Sequence, residues 1–179
     1  MNLCCANGGR YARSNKVRYH NITKDDMLNG DGLRVVLWVS GCSHHCPGCQ
    51  NPITWDRSDG LIFDGNALNE IDDQLGKKYI SGITLSGGDP LFEGNRRDIL
   101  VLCKYIRELF PNKNIWLYTG YTYEEVSDLE IMDYIDILVD GPYVEKLRDT
   151  SLKWRGSSNQ RVIDIKETHK IGRVVLWCD

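Results

Sequence analysis

Hydrophobic positions along the chain alternate between short β-branched runs and longer stretches with apolar residues three and four apart. Leu33–Ser40 (LRVVLWVS) is a continuous apolar, β-branched run and predicts a buried strand ending at Gly41. Gly65–Lys77 places Leu68, Ile71 and Leu75 on one helical face, and Arg96–Phe110 does the same with Ile99, Leu102, Cys103, Ile106 and Leu109 before Pro111 helps end it. Between and after these helices, Gly82–Ser86, Asn114–Thr119 and Ile135–Val139 predict further strands. Tyr123–Met132, acidic at its start as the helix dipole favours, predicts another helix. Arg161–Lys166 and Ile171–Trp177 read as two strands joined around residues 167–170, a β-hairpin.

Strands alternating with helices imply βαβ units and a parallel sheet with right-handed crossovers. Four strand–helix repeats are visible in 179 residues, whereas a closed barrel of eight needs about 250. The expectation is an α/β fold, an open partial (βα) barrel with a parallel sheet and flanking helices. Its segments are an N-terminal extension (1–17), a main domain (18–162) and a C-terminal extension (163–179) holding the hairpin. Parallel α/β folds bind ligands at the C-terminal ends of their strands. Three unusual turns fall there: Gly41–Pro52, Gly87–Pro90 and Thr119–Tyr121.

Composition narrows the function classes. The formal net charge of -3 provides no basic field for nucleic acid, and no apolar run approaches the roughly 20 residues that span a bilayer. Met1–Arg13 has no apolar core of a secretory signal. Seven cysteines, an odd number without a secretion signal, point to metal-binding or redox thiols in a reducing cytoplasmic compartment rather than to a disulfide framework.

Three of those cysteines fall within eight residues, in Gly41-Cys42-Ser43-His44-His45-Cys46-Pro47-Gly48-Cys49. Gly41, Pro47 and Gly48 let the backbone wrap so that the thiols converge. A structural zinc site with His44, His45 or Cys103 as fourth ligand competes, although such sites usually pair two CxxC-like knuckles and no second knuckle is present. A redox CxxC is a weaker reading, because Cys42 adds a third thiol. On a 4Fe–4S cluster, three thiolates leave one iron open, whereas a cluster that only carries electrons normally has four cysteines. His44 and His45 are read as solvated, Cys103 as a core residue, and Cys4, Cys5 and Cys178 as thiols without an assigned role.

Cys42-x3-Cys46-x2-Cys49 resembles the signature of the radical S-adenosylmethionine superfamily. Within it, Asn29–Arg34 (NGDGLR), Cys46–Asn51 (CPGCQN), Leu85–Leu91 (LSGGDPL), Ile115–Tyr121 (IWLYTGY), Val139–Gly141 and Trp154–Gln160 (WRGSSNQ) make the chain similar to activators of anaerobic ribonucleotide reductase. Gly48 stands where the wider superfamily often has an aromatic residue, and Asp89 where its glycine-rich turn often ends in Glu. The resemblance implies that Cys42, Cys46 and Cys49 hold a 4Fe–4S cluster and that S-adenosylmethionine lies against Gly48, Cys49 and Gln50. It also implies that the Gly87–Pro90 turn, Gly88 above all, contacts the cofactor's methionine amino group. Thr119 ends a strand where its hydroxyl meets ribose or carboxylate, or else serves as a turn residue. The implied activity is cleavage of S-adenosylmethionine to a 5′-deoxyadenosyl radical that installs a glycyl radical on anaerobic ribonucleoside-triphosphate reductase. A one-electron donor such as flavodoxin or ferredoxin reduces the cluster, and no side-chain acid or base is needed. Trp154–Gln160 is read as a docking loop for the reductase. Other readings are activation of pyruvate formate-lyase, a radical enzyme acting on a free metabolite, and a zinc-binding interaction module.

Overall fold

The computed structural model describes residues 17–177. The expected N-terminal extension, apart from Val17, lies outside the described residues, as do Cys4, Cys5 and Cys178. Seven strands form one sheet in the order β3-β1-β2-β4-β5-β6-β7. In the chain they are β1 (Arg18–Asp26), β2 (Arg34–Val39), β3 (Leu61–Ile62), β4 (Gly82–Gly87), β5 (Asn114–Tyr118), β6 (Ile137–Asp140) and β7 (Arg161–Asp164). The helices are α1 (Gly65–Leu75), α2 (Glu93–Leu109), α3 (Tyr123–Val126) and α4 (Ile165–Ile171). The sheet is not closed.

The expected parallel sheet is corrected to a mixed one. The strands foreseen from apolar runs, β2, β4, β5 and β6, pair in parallel at the centre. β1 pairs antiparallel with β2 and β3, and β7 pairs antiparallel with β6. β1 and β3 had no sequence signal. β1 (RYHNITKDD) is mostly polar and buries only Ile22, and the two residues of β3 are both exposed, so neither shows a sustained apolar period.

The C-terminal hairpin is corrected as well. Ile165–Ile171 is a helix, capped by the Asp164 side chain, which accepts from Glu167 N–H, and ended by Gly172 at φ 75°. The chain beyond it does return along β7, with Ile163 bridged to Leu176. A helix, not a turn, makes the connection. Tyr123–Met132 is not one helix either. A capping box of Thr122 and Glu125 starts α3, but Leu129 is extended, and a separate 3-10 turn at Glu130–Asp133 puts Ile131 and Met132 into the core.

Side chains alternate across the sheet, so one strand face differs from the other. Val35, Leu37, Ile83, Leu85, Ile115, Leu117 and Leu138 pack with the helices in the main core. Cys103 of α2 is wholly buried there, and burial pushes its thiol up to about 12. The opposite face carries Trp116, Ile137, Val139 and Val162, against which Tyr118, Trp154 and Trp177 pack. No helix among the described residues is long and apolar enough to cross a membrane.

Candidate functional site

The cysteine loop leaves the C-terminal end of β2. Gly41, at φ 100°, turns the chain, and two backbone bonds anchor the start of the loop: Gly41 N–H donates to Thr54 O at 2.8 Å and Cys42 N–H to Trp55 O at 3.0 Å. Cys49 N–H donates to Cys46 O at 3.1 Å, and Asn51 N–H lies 3.4 Å from Cys49 Sγ. Cys42, Cys46 and Cys49 are free thiols, each half-buried. Burial, ahead of any charge effect, holds the Cys42 thiol above its usual range.

A single carboxylate ties this loop to the other two turns. Asp89, 1% exposed, accepts from Thr119 Oγ1 at 2.9 Å, from Gly120 N–H at 3.0 Å and from Leu91 N–H at 2.7 Å. His44 Nε2 faces the same carboxylate at 2.9 Å, and its ring stands edge-on to Tyr121 at 4.5 Å. The hydrogen bond to Asp89 raises the His44 pKa against the opposing effect of burial. His44 is therefore not the solvated residue expected. Asp89 does not cap α2, which starts at Glu93. It closes the Gly87–Pro90 turn and draws His44 and Thr119 to it.

All three cysteines line one cavity of about 520 Å³, together with Gln50, Gly88 and Thr119. Its floor is the helix-free face of the sheet, with Trp38, Ser86 and Tyr118, and its far wall is built by the segment from Gly141 to Gln160. Gly48 departs from expectation: it is exposed, absent from the cavity wall, and a Cβ there would meet the Glu145 carboxylate at 2.3 Å. Thr119 lines the cavity, but its hydroxyl proton goes to Asp89 and its oxygen accepts from Tyr121 N–H at 3.2 Å, so it holds the turn. The Gly88 amide is engaged with Val39 O at 2.8 Å, which leaves carbonyl oxygen as what the turn offers an ammonium group.

The Trp154–Gln160 segment, expected to dock the reductase, turns its tryptophan toward the cavity. Trp154 lines the cavity at φ 60°, with its ring 5.1 Å from Trp116 in an edge-on contact. The Gln160 side chain knits the segment, accepting from Gly156 N–H at 2.9 Å and Ser157 N–H at 3.1 Å and donating to Gly141 O at 3.1 Å. His44, Trp38, Ser86 and Tyr118 were missed as site residues. Strand alternation was the available signal for the last three.

Among the described residues, no three His, Cys, Asp or Glu side chains converge closely enough to hold a single metal ion. Three thiols spread around one cavity suit a polynuclear cluster, where each thiolate has its own iron, better than one tetrahedral ion.

The profile of the 4Fe-4S single cluster domain family matches residues 28–163. The chain is 46% identical over 146 residues to the anaerobic ribonucleoside-triphosphate reductase-activating protein of Enterobacteria phage T4, covering 82% of this chain and 93% of that one. It is 45% identical over 152 residues to the protein so named from Escherichia coli (strain K12), covering 82% and 97%. The Vibrio cholerae protein of that name is 40% identical over 148 residues, with 80% and 96% covered.

Proposed function

The chain belongs to the family of anaerobic ribonucleoside-triphosphate reductase-activating proteins, with a 4Fe-4S single cluster domain, and on that premise we propose that it installs a glycyl radical on the anaerobic reductase using S-adenosylmethionine. The observation that carries this reading is the shared cavity: three thiols, a clamped glycine-rich turn and an aromatic floor meet at the ends of parallel strands. We read the open sheet as the partial barrel of the radical S-adenosylmethionine type.

Cys42, Cys46 and Cys49 would hold the 4Fe–4S cluster, and the donor set fits, since three thiolates leave one iron for the cofactor. Bound together, cluster and S-adenosylmethionine supply the radical chemistry: one electron from a flavodoxin- or ferredoxin-like donor, cleavage of the sulfur–C5′ bond, and abstraction of a glycine Cα hydrogen in the reductase. The rest falls to the chain's own residues. Backbone bonds from Gly41 and Cys42 to Thr54 and Trp55 orient the thiol loop. Asp89 locks that loop to the Gly88 turn, where the methionine end of S-adenosylmethionine would lie with Gln50. Trp38, Tyr118 and Trp154 wall the cavity against water. The open sheet edge suits a substrate that is a loop of another protein. The protein works in the cytoplasm, where thiols stay reduced.

The test is anaerobic reconstitution with iron and sulfide, followed by mixing with the reductase and reading the glycyl radical by electron paramagnetic resonance. About four irons per chain are expected. Cys42→Ala, Cys46→Ala and Cys49→Ala each abolish cofactor cleavage, whereas Cys103→Ala retains it. Full cleavage in any of the three loop variants would sink the cluster assignment. A radical formed on pyruvate formate-lyase but not on the reductase would sink the choice of partner.

A further inference from the structure

Tyr118 ends β5 on the sheet face turned away from the helices, packed with the cluster that contains Trp116 and Val139. Its row across the sheet is Trp38 of β2, paired with Ser86 of β4, then Tyr118 itself, paired with Val139 of β6. Trp38, Ser86 and Tyr118 line the same cavity as the three cysteines. The Tyr118 hydroxyl oxygen is buried and has no hydrogen-bond partner among the described residues.

Polar groups on the same sheet face are otherwise engaged. The Thr84 hydroxyl donates to Asn29 O at 2.7 Å and accepts from Arg34 Nε at 2.7 Å. Trp38 Nε1 donates to Thr23 Oγ1 at 2.8 Å. A buried hydroxyl left alone lowers stability, and native structures keep few of them without a reason. Burial also holds the Tyr118 pKa well above its ordinary value, so the phenol stays neutral and can both donate and accept.

We propose that Tyr118 is a binding residue for S-adenosylmethionine whose hydroxyl completes its hydrogen bonding with the nucleoside part of the cofactor. This rests on the reading of the site given above. The cysteine loop and the Gly88 turn would engage the methionine end at the strand tips. Tyr118 lies on the sheet wall below those tips, where the rings of Trp38 and Trp154 provide flat surfaces suited to a heteroaromatic base.

Tyr118→Phe removes the hydroxyl and nothing else. Reconstituted wild type and variant are titrated calorimetrically with S-adenosylmethionine and with 5′-deoxyadenosine, and both are melted without ligand. The variant should carry the same iron, bind both molecules about tenfold more weakly, and melt at or above the wild-type temperature, because the orphaned hydroxyl is gone. Equal affinity for S-adenosylmethionine in the two proteins overturns the proposal alone. A lower melting temperature for the unliganded variant overturns it too, since the hydroxyl then has a partner within the fold. If the wild type fails to bind S-adenosylmethionine, the cofactor reading falls with it.

Discussion

A Cβ at Gly88 would stand 2.6 Å from Gly41 O and 2.7 Å from Thr54 O, both backbone atoms of the cysteine loop and its anchor. The glycine is thus required by the packing of turn against loop, in addition to any ligand. Gly88→Ala should lower the iron loaded per chain as well as weaken S-adenosylmethionine binding; iron analysis after reconstitution reads the first and calorimetry the second. Normal loading with weakened binding would restore a pure ligand-approach role. Gly65 is the contrast. It begins α1 with nothing within 4 Å of its virtual Cβ, so Gly65→Ala should stabilise the protein by about 0.5 kcal/mol in urea unfolding. Asp89 carries more than either glycine. Asp89→Ala strands the buried groups of Thr119, Gly120 and Leu91. It should cost about 3 kcal/mol or more in the same measurement.

Elements are held together by a buried arginine and a partly buried aspartate. Arg34 of β2 is 0% exposed and reaches across β4 to β5: it donates to Thr84 Oγ1 at 2.7 Å, Ile83 O at 2.6 Å and Asn114 Oδ1 at 2.6 Å, and its guanidinium lies 5.2 Å from the Trp116 ring centre. Burial lowers its pKa to about 10, which leaves it charged at neutral pH. Lysine has neither the planar fork nor the donors for this set, so Arg34→Lys should cost about 2 kcal/mol by urea unfolding. Asp136 joins α2, β5 and α4 through Arg107, Ile115 N–H at 2.7 Å and Lys166 at 2.6 Å. Burial opposes its ionisation, but the bonds from Lys166, Ile115 and Arg107 together hold its pKa below the usual 3.8. A depressed carboxylate stabilises the fold above its unfolded pKa, and that contribution is lost as pH falls through the folded one. Thermal unfolding followed from pH 7 to 3 should show a falling acid limb, and Asp136→Asn should lower the melting temperature at pH 7 while flattening that limb. An unchanged limb would place the acid sensitivity elsewhere.

At the scale of the whole molecule, helices cover one face of the sheet and the segment from Gly141 to Gln160 covers the other, enclosing the cavity between segment and strands. Trp154 is the main apolar contact between that segment and the floor. Trp154→Ala should therefore cost about 2 kcal/mol and also weaken S-adenosylmethionine binding. A variant of wild-type stability and affinity that is deficient in reductase activation alone would return Trp154 to a docking role. The sequence was informative wherever one segment sufficed. β-branched runs marked the four parallel strands, three- and four-residue spacing marked α1 and α2, and the cysteine spacing marked the loop. Tertiary structure decided what depends on distant partners. β1 and the two-residue edge strand β3 exist because a neighbouring strand supplies their hydrogen bonds, and no local period announces that. α4 replaced a hairpin because Asp164 and Gly172 cap its two ends, overriding a β-branched pattern. His44 meets Asp89 across 45 residues, and Trp154 meets Trp116 across the sheet face. The identity of a metal-binding loop is written in the spacing of a few adjacent residues. The walls and floor of the cavity around it are contributed by strands and loops far apart in the chain, so only their packing could assemble them.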